Sequence, residues 1–306
     1  MTERIESVVS IRDFDRDAIL RVLSVAAGME AEDRSGLLAG CVLGTMFLEP
    51  STRTRMSFAS AMVRLGGSVL DLGDPAHSSF KKGESLSDAI RIVAGYCDVI
   101  ALRHPWEGAA RLASQIAGVP VINAGDGSNQ HPTQTFLDLY TIQKVCGRID
   151  GLTVGFVGDL KYGRTVHSLV TALSRFDCRQ VFVSPPNLSV SADLRRELKE
   201  AGIAGHTTTD LREVLPELDI VYCTRIQQER FPDIVEYERV KGAYRIDREL
   251  LERAGVKDSM RVMHPLPRVD ELAPDVDETP HAVYFEQARN GIPVRQALLA
   301  MVLGKV

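Results

Sequence analysis

The stretch Phe47-Leu-Glu-Pro-Ser-Thr-Arg-Thr-Arg-Met-Ser-Phe58 joins a hydrophobic run to an amphipathic one. Cys41 to Leu48 has the length and apolar content of a buried strand, and residues 55–65 place apolar side chains at helical spacing before a pair of glycines. The sequence therefore predicts a strand, a polar turn and a helix, with Ser51 at the helix N-cap.

This polar turn, residues 51–55, carries three hydroxyl groups and two arginines, Arg53 and Arg55. The free N–H groups at a helix start attract anions, and a guanidinium group can bind two phosphate oxygens at once. The alternative is a capped helix whose arginines pair with surface carboxylates. The density of donors favours a phosphate site.

Length and composition indicate an ordinary globular protein. The chain has 306 residues, the length expected for two domains, and is 44% hydrophobic. Its formal net charge of −5 argues against general nucleic-acid binding. We therefore expect any positive field for an anionic ligand to be local to a cleft.

The N-terminal residues lack the apolar core of a signal peptide, and no apolar run approaches the roughly 20 residues that span a bilayer. We therefore expect a cytoplasmic protein that does not enter a membrane. Five scattered cysteines without a Cys-x-x-Cys pair indicate neither a disulfide framework nor a metal site.

Strand and helix patterns alternate along the chain, which predicts parallel sheets with helices on both faces. An amphipathic helix over 11–27 precedes this alternation, and a final helix over 293–303 follows it. A helix from about Pro132 separates two such series, so we expect two α/β domains with a cleft between them. The predicted domains are 1–132 plus 289–306, and 133–288.

Polar clusters follow the predicted strands. Ligands of open parallel sheets lie beyond the carboxyl ends of the strands, so these clusters are expected to outline one cleft. They are residues 51–55, 77–82, 103–105, 126–134, 158–164, 224–227 and 264–268.

Two of these clusters suit a carbonyl substrate. His131 begins a predicted helix, where a charged imidazole is disfavoured, so a neutral ring can donate to a carbonyl oxygen. Gln134 lies in the same cluster as His131, and Arg103 could close on the phosphate or on the developing oxyanion from another side. Taken alone, His131 is more often a capping or core residue, and Arg103 a surface ion pair.

Gly155 to Arg164 follows a strand and opens a helix, but its spacing is not Gly-x-Gly-x-x-Gly, so we expect no nicotinamide cofactor. Arg164 and Arg225 each follow a strand of the second domain. They are interpreted as two forks for a dicarboxylate, with structural ion pairs as the alternative.

Together the clusters resemble those of the aspartate/ornithine carbamoyltransferase family over essentially the whole length. Thr133 and Pro265 stand where ornithine enzymes carry cysteine, so the resemblance favours the aspartate enzymes. The matching motifs are Ser51-Thr-Arg-Thr-Arg55, Ser78 with Lys81-Lys82-Gly-Glu84, Arg103-His-Pro105, His131-Pro-Thr-Gln134, Gly158 to His167, Thr224-Arg-Ile-Gln227 and His264-Pro-Leu-Pro-Arg268.

The resemblance implies transfer of a carbamoyl group from carbamoyl phosphate to the amine of L-aspartate, in pyrimidine biosynthesis. It implies catalytic roles for Arg53, Thr54, Lys82, Arg103 and His131. Carbamoyl phosphate would be held by Ser51, Thr52, Arg53, Thr54, Ser78, Arg103, His131, Gln134, Leu266 and Pro267. Aspartate would be held by Lys82, Arg164, Arg225 and Gln227.

The resemblance also implies a homotrimer with shared active sites, in which Ser78 and Lys82 come from a neighbouring subunit, and no metal or organic cofactor. A separate regulatory chain is a further possible partner, and Ser79 is an alternative to Ser78. Two other functions stay open: transfer to ornithine or a modified amino acid, and a non-catalytic scaffold.

Overall fold

Parallel strands alternate with helices in a computed structural model that describes residues 5–73, 82–203, 205–226 and 233–306. The chain divides into a first unit, residues 1–140 with 290–306, and a second unit, residues 141–289. Both divisions fall inside helices, α5 (Pro132–Cys146) and α11 (Tyr284–Val302).

The first unit contains, in its described part, a four-stranded parallel sheet in the order β2-β1-β3-β4. The strands β3 and β4 are fully buried, whereas the edge strand β2 is mostly exposed. The strands are β1 Val42–Phe47, β2 Ser68–Asp71, β3 Val99–His104 and β4 Val121–Asp126, and the helices before α5 are α1 Arg16–Ala31, α2 Thr52–Arg64, α3 Leu86–Ala94 and α4 Ala109–Ile116.

The second unit has five parallel strands among its described residues, in the order β7-β6-β5-β8-β9. The strands are β5 Thr153–Val157, β6 Arg179–Val183, β7 His206–Thr208, β8 Ile220–Cys223 and β9 Arg261–Met263. The helices are α6 Arg164–Leu173, α7 Ala192–Glu200, α8 Leu211–Val214, α9 Ile234–Val240 and α10 Arg248–Ala254.

The predicted fold class, two parallel-sheet α/β domains, is confirmed. Helices cover the sheets, so the central strands are largely buried and mainly apolar, with polar residues such as Arg103 and His104 at the carboxyl end of β3. In the first unit Met46, Ile100 and Val121 pack with residues of α3 and α4. In the second, Val157, Val181 and Val221 belong to one buried cluster.

The first predicted helix begins too early. Residues 11–13 form a separate 3-10 turn, in which the Ser10 side chain accepts the Arg12 N–H. Phe14 is extended, and Asp15 then caps α1, which runs to Ala31 rather than to residue 27. The apolar periodicity continues through this break, and the two caps, not the periodicity, set where each helix starts.

The last helix begins at Tyr284 instead of Pro293, which lies in its interior. Proline is common at a first helical position, and this preference led to the wrong start. An interior proline costs about 3 kcal/mol, but the residues from Val294 to Val302 are buried, and their packing outweighs that cost. Among the described residues, no helix has the length and apolar character needed to cross a membrane.

Candidate active site

The 51–55 turn lies at the carboxyl end of β1 and starts α2. Ser51 is the N-cap residue, with φ −161° and ψ 92°, and its side chain makes no capping hydrogen bond. Thr54 is buried, whereas Thr52 and Arg53 are exposed. Because the Ser51 hydroxyl does not accept the N–H groups of the first turn, this helix start suits an anion.

The two arginines of the turn differ in their surroundings. Arg55 Nη2 lies 2.7 Å from Asp71 Oδ2 at the end of β2. The other oxygen of Asp71 accepts the Thr45 hydroxyl over 2.6 Å. Arg55 therefore has the alternative role considered for this turn, an ion pair with a carboxylate, and Arg53 is the arginine proposed for an anion.

Arg103 lies beside this turn because β3 pairs with β1, with Phe47 opposite Arg103. Its side chain is 9% exposed, and Nη2 lies 3.3 Å from Glu49 Oε1. Nη1 donates to the carbonyl oxygen of Ala124 over 3.2 Å. The guanidinium group is thus held at the carboxyl edge of the sheet.

Glu49 was missed in the sequence analysis. It precedes Pro50 directly after β1, and a carboxylate in an otherwise cationic turn is a signal that could have identified it. Its ion pair with a buried arginine partly compensates the cost of taking that charge out of water.

A buried carboxylate shapes the loop that leads to His131. Asp126, 2% exposed, accepts four hydrogen bonds. The donors are Gln130 N at 3.0 Å, Asn123 Nδ2 at 2.9 Å, Gly108 N at 2.8 Å and Asn129 Nδ2 at 3.1 Å. The loop therefore has a fixed course from β4 to the start of α5, where His131 and Gln134 are both buried.

In the second unit, Arg164 begins α6 after β5 and Arg225 follows β8. These strands are neighbours, with Val157 opposite Cys223. Gly158 has φ 115°, and a Cβ there would lie 2.2 Å from the carbonyl oxygen of Thr224. The glycine lets the chain segments that follow the two strands approach closely, so both arginines leave the same edge of the sheet.

Leu266 and Pro267 belong to the second unit, after β9. Leu266 has φ 56° and precedes Pro267 through a cis peptide bond. A left-handed conformation costs a branched residue about 1–2 kcal/mol, so the surrounding structure must stabilise it. Leu266 N donates to His264 Nδ1 over 2.8 Å.

The His264 ring is itself fixed. Because Nδ1 accepts a hydrogen bond, Nε2 carries the proton and donates to Glu271 Oε1 at 2.8 Å. Burial alone would raise the pKa of Glu271, but the bonds from His264 and the backbone outweigh it, so the pKa is lowered. Glu271 is a second residue that the sequence analysis did not single out.

Some predicted residues cannot be placed. Ser78, Ser79, Lys81 and Gln227 lie outside the described residues. Lys82 is described and is exposed, shortly before α3. No group of three or more His, Cys, Asp or Glu side chains within the described ranges could hold a metal ion.

Two models of one family match the chain. The model described as "Aspartate/ornithine carbamoyltransferase, carbamoyl-P binding domain" matches residues 6–144. The model described as "Aspartate/ornithine carbamoyltransferase, Asp/Orn binding domain" matches residues 150–302.

Individual proteins match over nearly the full length. The aspartate carbamoyltransferase catalytic subunit of Thermococcus kodakarensis is 56% identical over 301 residues, which cover 97% of this chain and 96% of that protein. The structure of the catalytic subunit of M. jannaschii aspartate transcarbamoylase has a TM-score of 0.90 at 52% identity, covering 98% of each chain. Aspartate transcarbamoylase from Trypanosoma cruzi in complex with carbamoyl phosphate and aspartate has a TM-score of 0.91 at 40% identity, covering 97% and 96%.

Proposed function

The chain belongs to the aspartate/ornithine carbamoyltransferase family, and from this premise we propose that it transfers the carbamoyl group of carbamoyl phosphate to L-aspartate. The products are N-carbamoyl-L-aspartate and phosphate. The observation that carries this proposal is the 56% identity, over 97% of the chain, to a protein named as the aspartate enzyme.

The phosphate group binds at the 51–55 turn. Ser51, Thr52, Arg53 and Thr54 supply hydroxyl, backbone N–H and guanidinium donors, and Arg103 adds a second guanidinium group. The position of Arg103 at the adjacent strand end, held by Glu49 and Ala124, supports this assignment. Ser78 of a neighbouring subunit completes the phosphate site.

The carbamoyl end lies toward His131, directly before α5, and Gln134 in its first turn, with Leu266 and Pro267 as further contacts. The uncharged amine of aspartate attacks the carbonyl carbon, and a C–N bond forms. The bond between the carbonyl carbon and the bridging phosphate oxygen then breaks, and the nitrogen gives up a proton, which the departing phosphate accepts. Thr54, Arg103 and His131 stabilise the oxyanion, and proximity of the two reactants contributes roughly 7–11 kcal/mol.

Aspartate carries two carboxylates, and Arg164 with Arg225 provides two guanidinium groups for them. Their origin at neighbouring strand ends supports a paired role. Gln227 and Lys82 add contacts to the same substrate. The first unit is thus the carbamoyl-phosphate domain and the second the aspartate domain, without a metal or organic cofactor.

We further propose a homotrimer in which Lys82 enters the site of a neighbouring subunit. Leu70, Ile92 and Tyr96 are 50–66% exposed and line one groove of about 340 Å³ together with Glu84. Glu84 follows Lys82 by two residues, so this groove adjoins the proposed shared residue. Exposed apolar side chains of this kind suit a contact between subunits.

The relatives' designation as catalytic subunits supports a separate regulatory chain as a further partner. All five cysteines are free, which supports our proposal of a cytoplasmic enzyme, because disulfides are rare in that compartment.

The test measures phosphate release from carbamoyl phosphate as the aspartate concentration is varied. Wild-type protein accelerates phosphate release above the spontaneous decomposition of carbamoyl phosphate only when aspartate is present. Arg225→Ala raises the KM for aspartate and leaves the KM for carbamoyl phosphate near that of the wild type. Arg196→Ala, at a 67% exposed ion pair of the same unit, is the matched control and stays active. Release that does not depend on aspartate contradicts the proposed function.

A further inference from the structure

A buried hydrogen bond lies below the first turn of α5. Gln134 Nε2 donates to Asp138 Oδ1 over 2.9 Å. The two residues are one helical turn apart, so their side chains lie on one face. Gln134 is 9% exposed and Asp138 is fully buried. The amide of a proposed substrate contact is therefore tied to a carboxylate in the core.

This bond determines which way the amide faces. An ionised carboxylate can only accept hydrogen bonds, so the NH2 group of Gln134 must point toward Asp138. The reverse orientation would place two oxygens against each other in a dry environment. The amide oxygen is thus directed away from Asp138.

A buried cation interacts electrostatically with Asp138. Arg295 of α11 is 3% exposed, and its Nη1 donates to the carbonyl oxygen of Gly291 over 3.1 Å. Burial lowers the pKa of Arg295 to about 10, and the charge of Asp138 opposes that shift. Arg295 is therefore cationic at neutral pH, and its charge favours the carboxylate form of Asp138.

The same cation also packs on the helix of the 51–55 turn. The Arg295 guanidinium carbon lies 5.1 Å from the ring centroid of Phe58, which is fully buried on α2. A cation over an aromatic face is a favourable contact when both are desolvated. Arg295 thus interacts both with Asp138 of α5 and with α2, the helix that begins at the 51–55 turn.

We propose that Asp138 is a positioning residue that orients Gln134 so that Oε1 accepts a hydrogen bond from the NH2 group of carbamoyl phosphate. This inference rests on the proposed function. It assigns to Asp138 a part in substrate selection, because acetyl phosphate has a methyl group in place of the NH2 group. A fixed acceptor at Gln134 Oε1 favours carbamoyl phosphate over acetyl phosphate, because only carbamoyl phosphate has an NH2 group that can donate to it.

The experiment compares carbamoyl phosphate with acetyl phosphate in the intact protein. The measured quantity is the selectivity ratio, the Ki of acetyl phosphate as a competitive inhibitor divided by the KM of carbamoyl phosphate. Loss of one hydrogen bond to substrate corresponds to roughly a 3- to 10-fold change. Asp138→Asn keeps the shape but lets the amide face either way, so the ratio falls by up to this amount. Gln134→Ala removes the acceptor, so the ratio falls by the full amount.

The double variant separates positioning from general damage. If Asp138 acts through Gln134, adding Asp138→Asn to Gln134→Ala lowers the ratio no further. A swapped pair, Gln134→Glu with Asp138→Asn, keeps one carboxylate and one amide in the pair. In it the new amide at position 138 donates to one carboxylate oxygen at position 134, and the other oxygen faces the substrate. The ratio of this pair should exceed that of Asp138→Asn, or that of Gln134→Ala if Asp138→Asn does not fold.

The proposal is overturned if Asp138→Asn weakens both ligands equally, if its effect persists in the Gln134→Ala background, or if the swapped pair fails to restore the ratio. A wild-type ratio near one also overturns it. Failure of the wild type to release phosphate with aspartate would instead refute the proposed function, so the two failures are distinguishable.

Discussion

The backbone N–H of Leu266 donates to Nδ1 of His264 over 2.8 Å. The opposite ring nitrogen faces Glu271 at 2.8 Å. His264 thus joins a left-handed backbone residue to a buried carboxylate. It stabilises the loop of Leu266 and Pro267, the two proposed carbamoyl-phosphate contacts of the second unit.

Replacing His264 by Asn or Gln separates these two bonds. The Asn amide oxygen lies near the position of Nδ1 and can accept from Leu266, whereas Gln reaches toward Glu271 and leaves the Leu266 N–H without its acceptor. We expect the KM for carbamoyl phosphate to rise less in His264→Asn than in His264→Gln, by about 3- to 10-fold for one hydrogen bond. Steady-state kinetics measure this difference. The reverse order would show that Glu271, not Leu266, determines the role of His264.

Arg53 and Arg55 form a matched pair of variants on one turn. Arg53→Ala should lower kcat/KM at least roughly 10- to 200-fold, because a charge-assisted bond to phosphate contributes about 1.5–3 kcal/mol. Arg55→Ala breaks an exposed ion pair with Asp71 and should change kcat/KM by only a few fold. Phosphate-release kinetics on both folded variants compare them. Near-normal activity of Arg53→Ala would remove the phosphate site from this turn.

The fold was predictable because alternating strand and helix patterns are local signals. The polar residues at the carboxyl edge of the first sheet were equally predictable, because the segments that follow parallel strands lie at the same edge. Partners that are distant in sequence were not predictable. The ion pair between Arg55 and Asp71 depends on how β1 pairs with β2, and the contact of Arg295 with Phe58 depends on how α11 packs on α2.

Glu49 and Asp138 illustrate the same limit within the candidate site. Glu49 lies next to the cationic turn, and Asp138 lies one helical turn after Gln134, a proposed substrate contact. Neither sequence position shows which side chain the carboxylate will contact. The prediction of where α11 starts was wrong for a different reason. Burial of the helix outweighs the preference of Pro293 for the first helical position. Tertiary packing, which is not written in local periodicity, decided each of these features.

The pair of Arg268 and Asp277 predicts a pH-dependent contribution to stability. Arg268 Nη2 lies 2.7 Å from Asp277 Oδ2, and this hydrogen bond lowers the pKa of Asp277. The folded pKa is thus below the unfolded value of about 3.9. The contribution is present above that pH and is lost as the pH falls through the folded value.

Asp277→Asn should therefore lower the free energy of unfolding at pH 7 by on the order of 1 kcal/mol. The difference from the wild type should shrink below about pH 4. Urea unfolding at both pH values measures it, with Asp193→Asn, at a 78% exposed ion pair, as the control. A difference that is unchanged at low pH would contradict the assignment.

Shared active sites predict complementation between inactive chains. Homotrimers of Lys82→Ala and of Arg53→Ala should both be nearly inactive, because each site lacks one group. In a mixed trimer, one junction of the closed ring combines an intact Arg53 with an intact Lys82. Dissociating, mixing and reassociating the two variants should restore about one active site in three per mixed trimer. Mixed trimers as inactive as their parents would place Lys82 in its own subunit or on the surface.

Product identity after competition between two amines tests the proposed transfer most directly. Purified protein is given isotopically labelled carbamoyl phosphate with equal concentrations of L-aspartate and L-ornithine, and the labelled products are identified by mass spectrometry. We predict that labelled N-carbamoyl-L-aspartate accumulates in step with phosphate and that carbamoylated ornithine does not. Labelled carbamoyl-ornithine as the main product, or phosphate release without either product, would contradict aspartate as the acceptor.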